Sequence, residues 1–295
     1  MKTHTYIRHH YPLYLIYVSF ISLSFVFCSN YFSWRHIDGH CMMAGDPALN
    51  VWALQWVSKE LIVNPFNIFN GNAFYPFEKS IAFSEHMFSL SLINIFFRPF
   101  SENPWFGYNL LIFISYVLSS FGAFKLLRYL TNSKLVGLWA GIFWGFLYFR
   151  VHHIGHLQIL SYQWIPFTVY YLLRFLRTGS TKSAFGTTIF FLLQALVSWY
   201  LAVINVFILT ICFCWHLKRN FLTNNQWKKL FIAMIVGAIL MVPFVIPYLN
   251  TVKSSSLESR IKIVMNTGDN VKFIDYFHFP KATLLGHRIP GNKYW

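Results

Sequence analysis

Charged residues are scarce in this chain, and acidic residues are the scarcest of them. Asp, Glu, Lys and Arg make up 11% of the 295 residues, and only nine residues are Asp or Glu. A soluble globular protein carries about 25% charged residues, so the composition excludes an ordinary water-soluble domain. Apolar residues make up 56% of the chain and aromatic residues 21%. The sequence therefore predicts a protein that lies within a lipid bilayer.

Cysteine is also rare, and its placement excludes cysteine-based sites. The four cysteines show no spacing typical of zinc or redox centres. Cys212 and Cys214 lie two residues apart in an apolar run, so on a helix they point to different sides. We assign the cysteines no function.

Basic residues outnumber acidic ones, and their distribution indicates topology. The formal net charge is +15, but the Lys and Arg residues are scattered between apolar runs. Cytoplasmic loops of membrane proteins are enriched in Lys and Arg, whereas a nucleic-acid interface would gather them in one patch. We therefore expect a bilayer as partner and no nucleic acid.

Long apolar runs predict an all-α polytopic protein with about seven transmembrane helices. The runs cover residues 11–28, 108–124, 135–149, 163–175, 184–197, 201–217 and 230–249. They place a multi-pass domain at 1–249, with a first external loop at 29–107 that carries interfacial helices. Residues 250–295 form an external segment.

The apolar stretch 86–97 is too short to be counted among these spans. It has about a dozen residues, whereas a spanning helix needs about 20. If it lies on the outer surface, the cytoplasmic segments contain twelve of the 24 Lys and Arg residues and no acid. The predicted protein thus lies in the cytoplasmic (inner) membrane, with a cytoplasmic N-terminus and an extracytoplasmic functional face.

The first external loop contains the acid that we expect to matter most, Asp46. Asp46 and Pro47 precede an apolar-patterned run at 48–62, where they suit an N-cap and a first helical position. One face of the predicted helix carries Leu49, Trp52, Ala53, Trp56 and Val57, whereas the polar residues Asn50, Gln55 and Ser58 fall elsewhere. Trp52 and Trp56 suit a helix that lies on the membrane surface.

Further polar residues gather on the predicted outer face. The candidate substrate-binding residues are Asn50, Glu85, His86, Arg150, His153, His156, Gln158, Gln163 and Tyr200. A carboxylate, imidazoles, an arginine and amides can bind a lipid-linked phosphate and deprotonate an acceptor hydroxyl.

Each of these residues also has a simpler interpretation. Asp46 can act only as a helix cap, Glu85 and His86 as an interfacial pair, and Arg150 as a residue that extends to the interface. His153 and His156 are spaced i, i+3, but the spacing supplies no third metal ligand.

As a set, these motifs resemble those of bacterial multi-pass glycosyltransferases of the GT-C type. The matching motifs are GDPxxNxWxxxW (45–56), FYP (74–76), AFSEH (82–86), HxxHLQ (153–158), QWxP (163–166) and SWY (198–200). The resemblance implies an inverting transferase that takes a sugar from a polyprenyl-phosphate donor. The acceptor would be an extracytoplasmic hydroxyl on a glycan, lipid or protein. In that family, Asp46 would be the catalytic base or a ligand of a divalent cation (Mg or Mn), which some relatives use.

Two other functions remain open at this stage. The chain could be a transporter or flippase of a lipid-linked intermediate, although such proteins usually carry polar residues inside their spans. It could also be a non-catalytic assembly factor, because GT-C enzymes usually continue beyond the point where this chain ends, at Trp295. We expect residues 250–295 to be the start of a truncated region.

Overall fold

The structure, a computed structural model, describes residues 13–29, 33, 45–218 and 221–252. Every regular element in these residues is helical, which confirms the predicted all-α membrane class. Eleven α-helices are present: α1 (Leu13–Cys28), α2 (Asp46–Val63), α3 (Phe88–Asn94), α4 (Pro104–Thr131), α5 (Lys134–Gly145), α6 (Phe149–His152), α7 (Leu157–Leu160), α8 (Ile165–Thr178), α9 (Thr181–Ala195), α10 (Trp199–Leu217) and α11 (Asn224–Val252). Short 3₁₀ turns lie at Pro65–Asn67, Ser80–Phe83 and Arg98–Phe100.

Some predicted regions lie outside the described residues. These are the basic N-terminal segment and nearly all of the external segment 250–295. Chain contacts divide the protein into Met1–Pro247 and Tyr248–Trp295, and only the final residues of α11 are described in the second unit.

Each of the seven predicted apolar runs contains an α-helix, and four stretches are long and apolar enough to cross a bilayer. They are α4, α10, most of α11, and Lys134–Val151, which contains α5. At 16 residues, α1 is apolar but shorter. With 14 and 15 residues, α8 and α9 measure about 21 and 23 Å at 1.5 Å per residue. The count of seven spans therefore stays a prediction.

The region between α1 and α4 contains short helices. Within 86–97, α3 has seven residues, or about 10 Å of helix, whereas the hydrocarbon core of a bilayer is about 30 Å thick. This length agrees with the prediction that the stretch does not cross the membrane.

Two details of α2 differ from the sequence prediction. Asp46 is the first helical residue rather than the cap, since Gly45 holds the N-cap position with φ 80° and no side chain caps the helix. The polar residues Asn50 and Ser58 lie on the buried face. Ser58 Oγ donates to the Leu54 carbonyl at 2.6 Å and accepts from Asn94 Nδ2 at 3.0 Å. The apolar pattern of α2 did not predict this burial, because a polar side chain can be buried when it makes hydrogen bonds.

A row of glycines on α5 brings this helix close to α4. Gly137, Gly141 and Gly145 are four residues apart and therefore share one helix face, and all three are buried. A Cβ atom at Gly141 would overlap Phe20 Cζ and lie 2.7 Å from the backbone oxygen of Ser120. Small residues at such spacing let transmembrane helices approach closely.

We expect Gly141→Ala to lower the stability of the fold. The added methyl group would push against the Ser120 carbonyl, which cannot move without moving α4, and overpacking of this kind costs about 1–3 kcal/mol. Thermal unfolding in detergent measures the effect. Gly237→Ala is the comparison variant, because its Cβ would lie 2.8 Å from the side-chain Cγ2 of Thr188 and would meet no backbone atom of another helix. Equal melting temperatures for the two variants would contradict the prediction.

Acidic residues are found at only one end of the described helical bundle. At one end, Lys125 lies over the Tyr170 ring, Arg177 lies over the Tyr129 ring, and Lys229 Nζ donates to the Gly179 carbonyl. The described acids all lie between residues 46 and 102, in the region that packs at the opposite end of α4. The described acids are thus confined to one end of the bundle, whereas Lys and Arg residues, among them Lys59 and Arg98, are found at both ends.

Candidate functional site

A carboxylate and an imidazole from distant parts of the chain meet at the acidic end. Asp46 Oδ2 lies 2.8 Å from His156 Nε2. An ionised carboxylate only accepts hydrogen bonds, so His156 donates through Nε2–H. The Asp46 side chain is 65% exposed and that of His156 36%. The pair is therefore accessible to a substrate.

The turn that carries His156 is held through its backbone. Asn50 Nδ2 donates to the Gly155 carbonyl at 3.0 Å, and the buried Tyr108 hydroxyl donates to the Ile154 carbonyl at 3.1 Å. Asn50 follows Asp46 by four residues on α2, which places both side chains on one helix face. One face of α2 thus fixes the turn through Asn50 and contacts His156 through Asp46.

His153 lies beside this pair. Its Nδ1 lies 2.8 Å from the Phe149 carbonyl, to which it must donate, and its ring stacks on Phe149 with centroids 4.0 Å apart. The ring centroids of His153 and His156 are 5.9 Å apart. The two imidazoles are therefore neighbours, as their i, i+3 spacing predicts. Since Nδ1 is engaged, Nε2 is the nitrogen of His153 that a ligand can use.

Glu85 has a different neighbour, the start of α10. Its carboxylate accepts hydrogen bonds from Ser198 Oγ at 3.1 Å and from the Trp199 backbone N–H at 3.0 Å. Helix N-termini present unpaired N–H groups and a partial positive charge, which a carboxylate stabilises. Glu85 thus caps α10 from the first loop. Tyr200, in the first turn of α10, is 70% exposed.

His86 is enclosed by aromatic rings. The rings of Phe69, Phe88, Trp199 and Phe244 surround it, with centroids 5.4–6.5 Å from its own. His86 Nδ1 accepts from the Phe88 backbone N–H at 3.1 Å, so the ring proton lies on Nε2. Only 1% of the residue is exposed. In this position His86 packs the loop against the helices.

Burial changes the proton affinity of these two neighbours in opposite senses. Desolvation raises the pKa of Glu85 from 4.5 to about 7, although the Trp199 and Ser198 hydrogen bonds oppose the rise. Desolvation lowers the pKa of His86 from 6.5 to about 3. In both residues, burial favours the uncharged form.

These shifts predict opposite pH dependences of stability. The contribution of Glu85 to the free energy of unfolding is complete below pH 4.5. It is lost as the pH rises to about 7, because the folded state binds the Glu85 proton more tightly than the unfolded state does. The His86 contribution is complete above pH 6.5 and is lost as the pH falls to about 3. Between pH 4.5 and 6.5 the two trends offset each other.

We expect Glu85→Gln to remove the fall in stability that Glu85 causes as the pH rises, so that only the rise in stability due to His86 remains. The variant should become more stable as the pH rises from 4.5 to 6.5, with a slope of up to about 1.4 kcal/mol per pH unit. Unfolding midpoints in detergent across this range measure the slope, with exposed Glu78→Gln as the control. A Glu85→Gln profile that matches the wild-type profile would contradict the assignment.

Arg150 and Gln163 belong to a third, buried group. Arg150 is fully buried, and its guanidinium donates to Ser115 Oγ at 2.6 Å and to the Gly145 carbonyl at 3.0 Å. It also lies over the rings of Tyr116 and Tyr162, at 3.8 and 4.8 Å. Arg150 therefore joins α4 to α5 and does not contact the Asp46–His156 pair.

The two predicted glutamines are likewise inside the protein. Gln163 is fully buried and its Oε1 accepts from Ser115 Oγ at 2.9 Å. Gln158, on α7, is 8% exposed, and its Oε1 has no hydrogen-bond partner among the described residues. Of the predicted residues, the structure thus brings Asp46, Asn50, His153 and His156 together and holds the others in separate contacts.

Tyr108 and Ser115 contribute to these arrangements, and our sequence analysis missed both. Each lies within the apolar run 108–124 that forms most of α4. A buried tyrosine hydroxyl usually has a hydrogen-bond partner, so Tyr108 carried a weak signal. Ser115 carried none, because a serine in a transmembrane helix usually bonds its own backbone.

The described residues do not fit a site for Mg or Mn. No group of three or more His, Cys, Asp or Glu side chains is close enough to hold a metal ion among residues 13–29, 45–218 and 221–252. Mg²⁺ prefers an octahedral set of oxygen ligands, whereas Asp46 is paired with an imidazole. The mechanism below therefore assigns no step to a metal.

Comparison with known proteins identified no relative of this chain. No protein-family model, no curated protein and no solved structure matches the chain.

Proposed function

We propose that this protein is a membrane glycosyltransferase that moves a sugar from a polyprenyl-phosphate donor to an extracytoplasmic hydroxyl. The observation that carries the proposal is the exposed Asp46–His156 pair, with an Oδ2–Nε2 distance of 2.8 Å, at the acidic end of an apolar helical bundle. A polyprenyl chain would dissolve in the bilayer and present its phosphate at this depth. The resemblance of the sequence motifs to GT-C enzymes supports the same reaction.

In the proposed mechanism, Asp46 is the general base. Asp46 accepts the proton of the acceptor hydroxyl while the hydroxyl oxygen attacks the anomeric carbon of the donor sugar. The bond from that carbon to the polyprenyl phosphate breaks on the opposite side, so the anomeric configuration inverts. His156 Nε2–H holds Asp46 Oδ2, which leaves Oδ1 for the proton. A positioned base of this kind contributes about 10²–10⁴-fold to a rate.

The departing phosphate needs a partner of positive charge, and His153 is the candidate. Its Nδ1 is engaged with the Phe149 carbonyl, so a protonated His153 would donate to the phosphate through Nε2. Arg150 is not retained in this role, because it is fully buried and bonded to Ser115 and Gly145. Asn50 contributes by holding the turn at Gly155.

The confinement of the described acids to one end of the bundle supports the orientation. With the basic ends of α4, α8 and α11 in the cytoplasm, as the positive-inside bias requires, Asp46 and His156 face the outer side of the inner membrane. Such a placement would let the enzyme use donors and acceptors already outside the cytoplasm.

The purified full chain in vesicles, supplied with radiolabelled polyprenyl-phosphate sugars and candidate acceptors, tests the activity. Release of polyprenyl phosphate together with labelling of the acceptor supports transfer. Binding of polyprenyl phosphate without turnover would instead identify an assembly factor. Movement of an unaltered donor to the other leaflet would identify a flippase.

A further inference from the structure

A cavity with basic walls lies at the end of the bundle opposite Asp46. It has a volume of about 540 Å³ and lies between α1, α4 and α8. Its lining residues are Tyr17, Phe121, Phe124, Lys125, Arg128, Tyr129, Asn132 and Tyr170. Two cations, three phenol hydroxyls and an amide thus face one space together with two apolar rings.

Within the part of the chain that the structure describes, the two cations have no carboxylate partner. The chain contains no Asp or Glu between Glu102 and Glu258, so α4, α8 and every helix between them lack acids. Among the described residues, the only ion pairs are Lys59–Glu60 and His156–Asp46. Neither Lys125 nor Arg128 is therefore engaged in an ion pair with another described residue.

Aromatic rings hold the two cations in place instead. Lys125 Nζ lies 4.7, 5.2 and 5.7 Å from the ring centroids of Tyr170, Tyr171 and Phe167, and Arg128 lies 5.9 Å from that of Phe124. Ring faces attract a cation but accept no strong hydrogen bond from it. The N–H donors of both side chains thus remain available to an anion.

The apolar part of the cavity indicates an amphiphilic ligand. Phe121 contacts the rings of Tyr17 and Phe167 at 5.1 and 5.9 Å and forms an aromatic wall below the cations. A free inorganic anion would gain nothing from this wall, whereas a lipid would place its upper acyl carbons there. Basic pockets between membrane helices on the cytoplasmic side are known to suit anionic lipid headgroups.

The depth of the cavity agrees with a headgroup. Lys125 follows Tyr108 by 17 positions on α4, which corresponds to about 26 Å of helix. Tyr108 holds the turn next to the Asp46–His156 pair, so the two sites are separated by nearly the thickness of a hydrocarbon core, about 30 Å.

We propose that the cavity between α1, α4 and α8 binds the phosphate headgroup of an anionic membrane lipid, with Lys125 and Arg128 as its ligands. Both side chains would donate to the phosphodiester oxygens, and Asn132 and the tyrosine hydroxyls would donate to the remaining headgroup oxygens. This site is independent of the proposed transferase site and does not require it to be active.

The test is native mass spectrometry of the purified full chain during titration with dioleoyl-phosphatidylglycerol or dioleoyl-phosphatidylcholine. We expect the wild type to bind phosphatidylglycerol more tightly by about tenfold or more, and Lys125→Gln/Arg128→Gln to lose this preference. Lys182→Gln/Lys228→Gln is the matched control, because it removes two exposed positive charges outside the cavity. Lys125→Arg/Arg128→Lys keeps both charges and should keep the preference, which separates loss of charge from misfolding.

Three outcomes would overturn the proposal. An equal loss of preference in the control pair would show a general effect of surface charge. An unchanged preference in the Gln pair would show that the lipid binds elsewhere. Competition with glycerol 1-phosphate and with inorganic phosphate distinguishes the sources of the anion: full displacement by millimolar inorganic phosphate would show a soluble ligand rather than a lipid.

Discussion

Asp46→Asn is expected to lower the rate of sugar transfer by about 10²–10⁴-fold, the range of a general base. Asparagine has nearly the same shape and still accepts the His156 hydrogen bond through its carbonyl oxygen, so the α2 contact should persist. The amide cannot take a proton from an acceptor hydroxyl. The loss should therefore appear in kcat with little change in KM, because proton removal occurs in the transition state and not in substrate binding.

The vesicle assay with polyprenyl-phosphate sugars measures this loss. Exposed Glu78→Gln is the matched control, because it removes an acid from the same loop without touching the His156 turn. Full activity of Asp46→Asn would contradict the assignment of the base. Loss of activity in both variants would instead indicate that the charge of the loop matters and not the position of Asp46.

Arg150→Ala is expected to destabilise the fold by about 3–5 kcal/mol, since it combines a large cavity with buried acceptors that lose their donor. Ser115 and Gly145 would lose the guanidinium hydrogen bonds, and the rings of Tyr116 and Tyr162 would face empty space. Arg150→Lys should recover only part of the stability, because an ammonium group cannot reach acceptors on two helices as a planar guanidinium does.

Unfolding in detergent, followed by near-ultraviolet circular dichroism, measures both variants. Exposed Arg174→Ala is the control, and its change should stay below about 1 kcal/mol. If Arg150→Ala is as stable as Arg174→Ala, the buried network does not stabilise the helices. If it is stable and also inactive, Arg150 would return to consideration as a ligand of the substrate phosphate.

Hydropathy and charge were sufficient to predict the class of this fold. Each of the seven apolar runs contains one of the eleven described α-helices, and the twelve residues at 86–97 were too few for a span. These predictions depend on length and composition, which the bilayer constrains strongly. The ends of the helices were less accurate, because caps and short 3₁₀ turns depend on contacts distant in sequence.

The site was predictable as a location but not as a set of contacts. The charge bias placed Asp46 and the histidine turn on one side of the protein, and the structure brings them to 2.8 Å across 110 residues of sequence. No pattern distinguished Glu85, which caps α10, from Asp46, since both are loop acids before a helix. Arg150 at the end of an apolar run suggested a surface residue, whereas acceptors from α4 and α5 hold it inside.

The glycine repeat on α5 was visible in the sequence and predicts a helix–helix contact. Gly137, Gly141 and Gly145 repeat at four-residue spacing, which is typical of close helix contacts in membranes. Our sequence analysis did not use this repeat, although it predicts which face of α5 contacts α4.

The hydrogen bonds that hold the histidine turn end on main-chain oxygens, those of Ile154 and Gly155. Every amino acid has this main-chain carbonyl oxygen, so the two hydrogen bonds do not depend on the side chains at positions 154 and 155. Because the Ile154 side chain is itself buried, substitutions at position 154 should change the packing beneath the turn, whereas the carbonyl that helps to place His156 is retained by any residue that fits there.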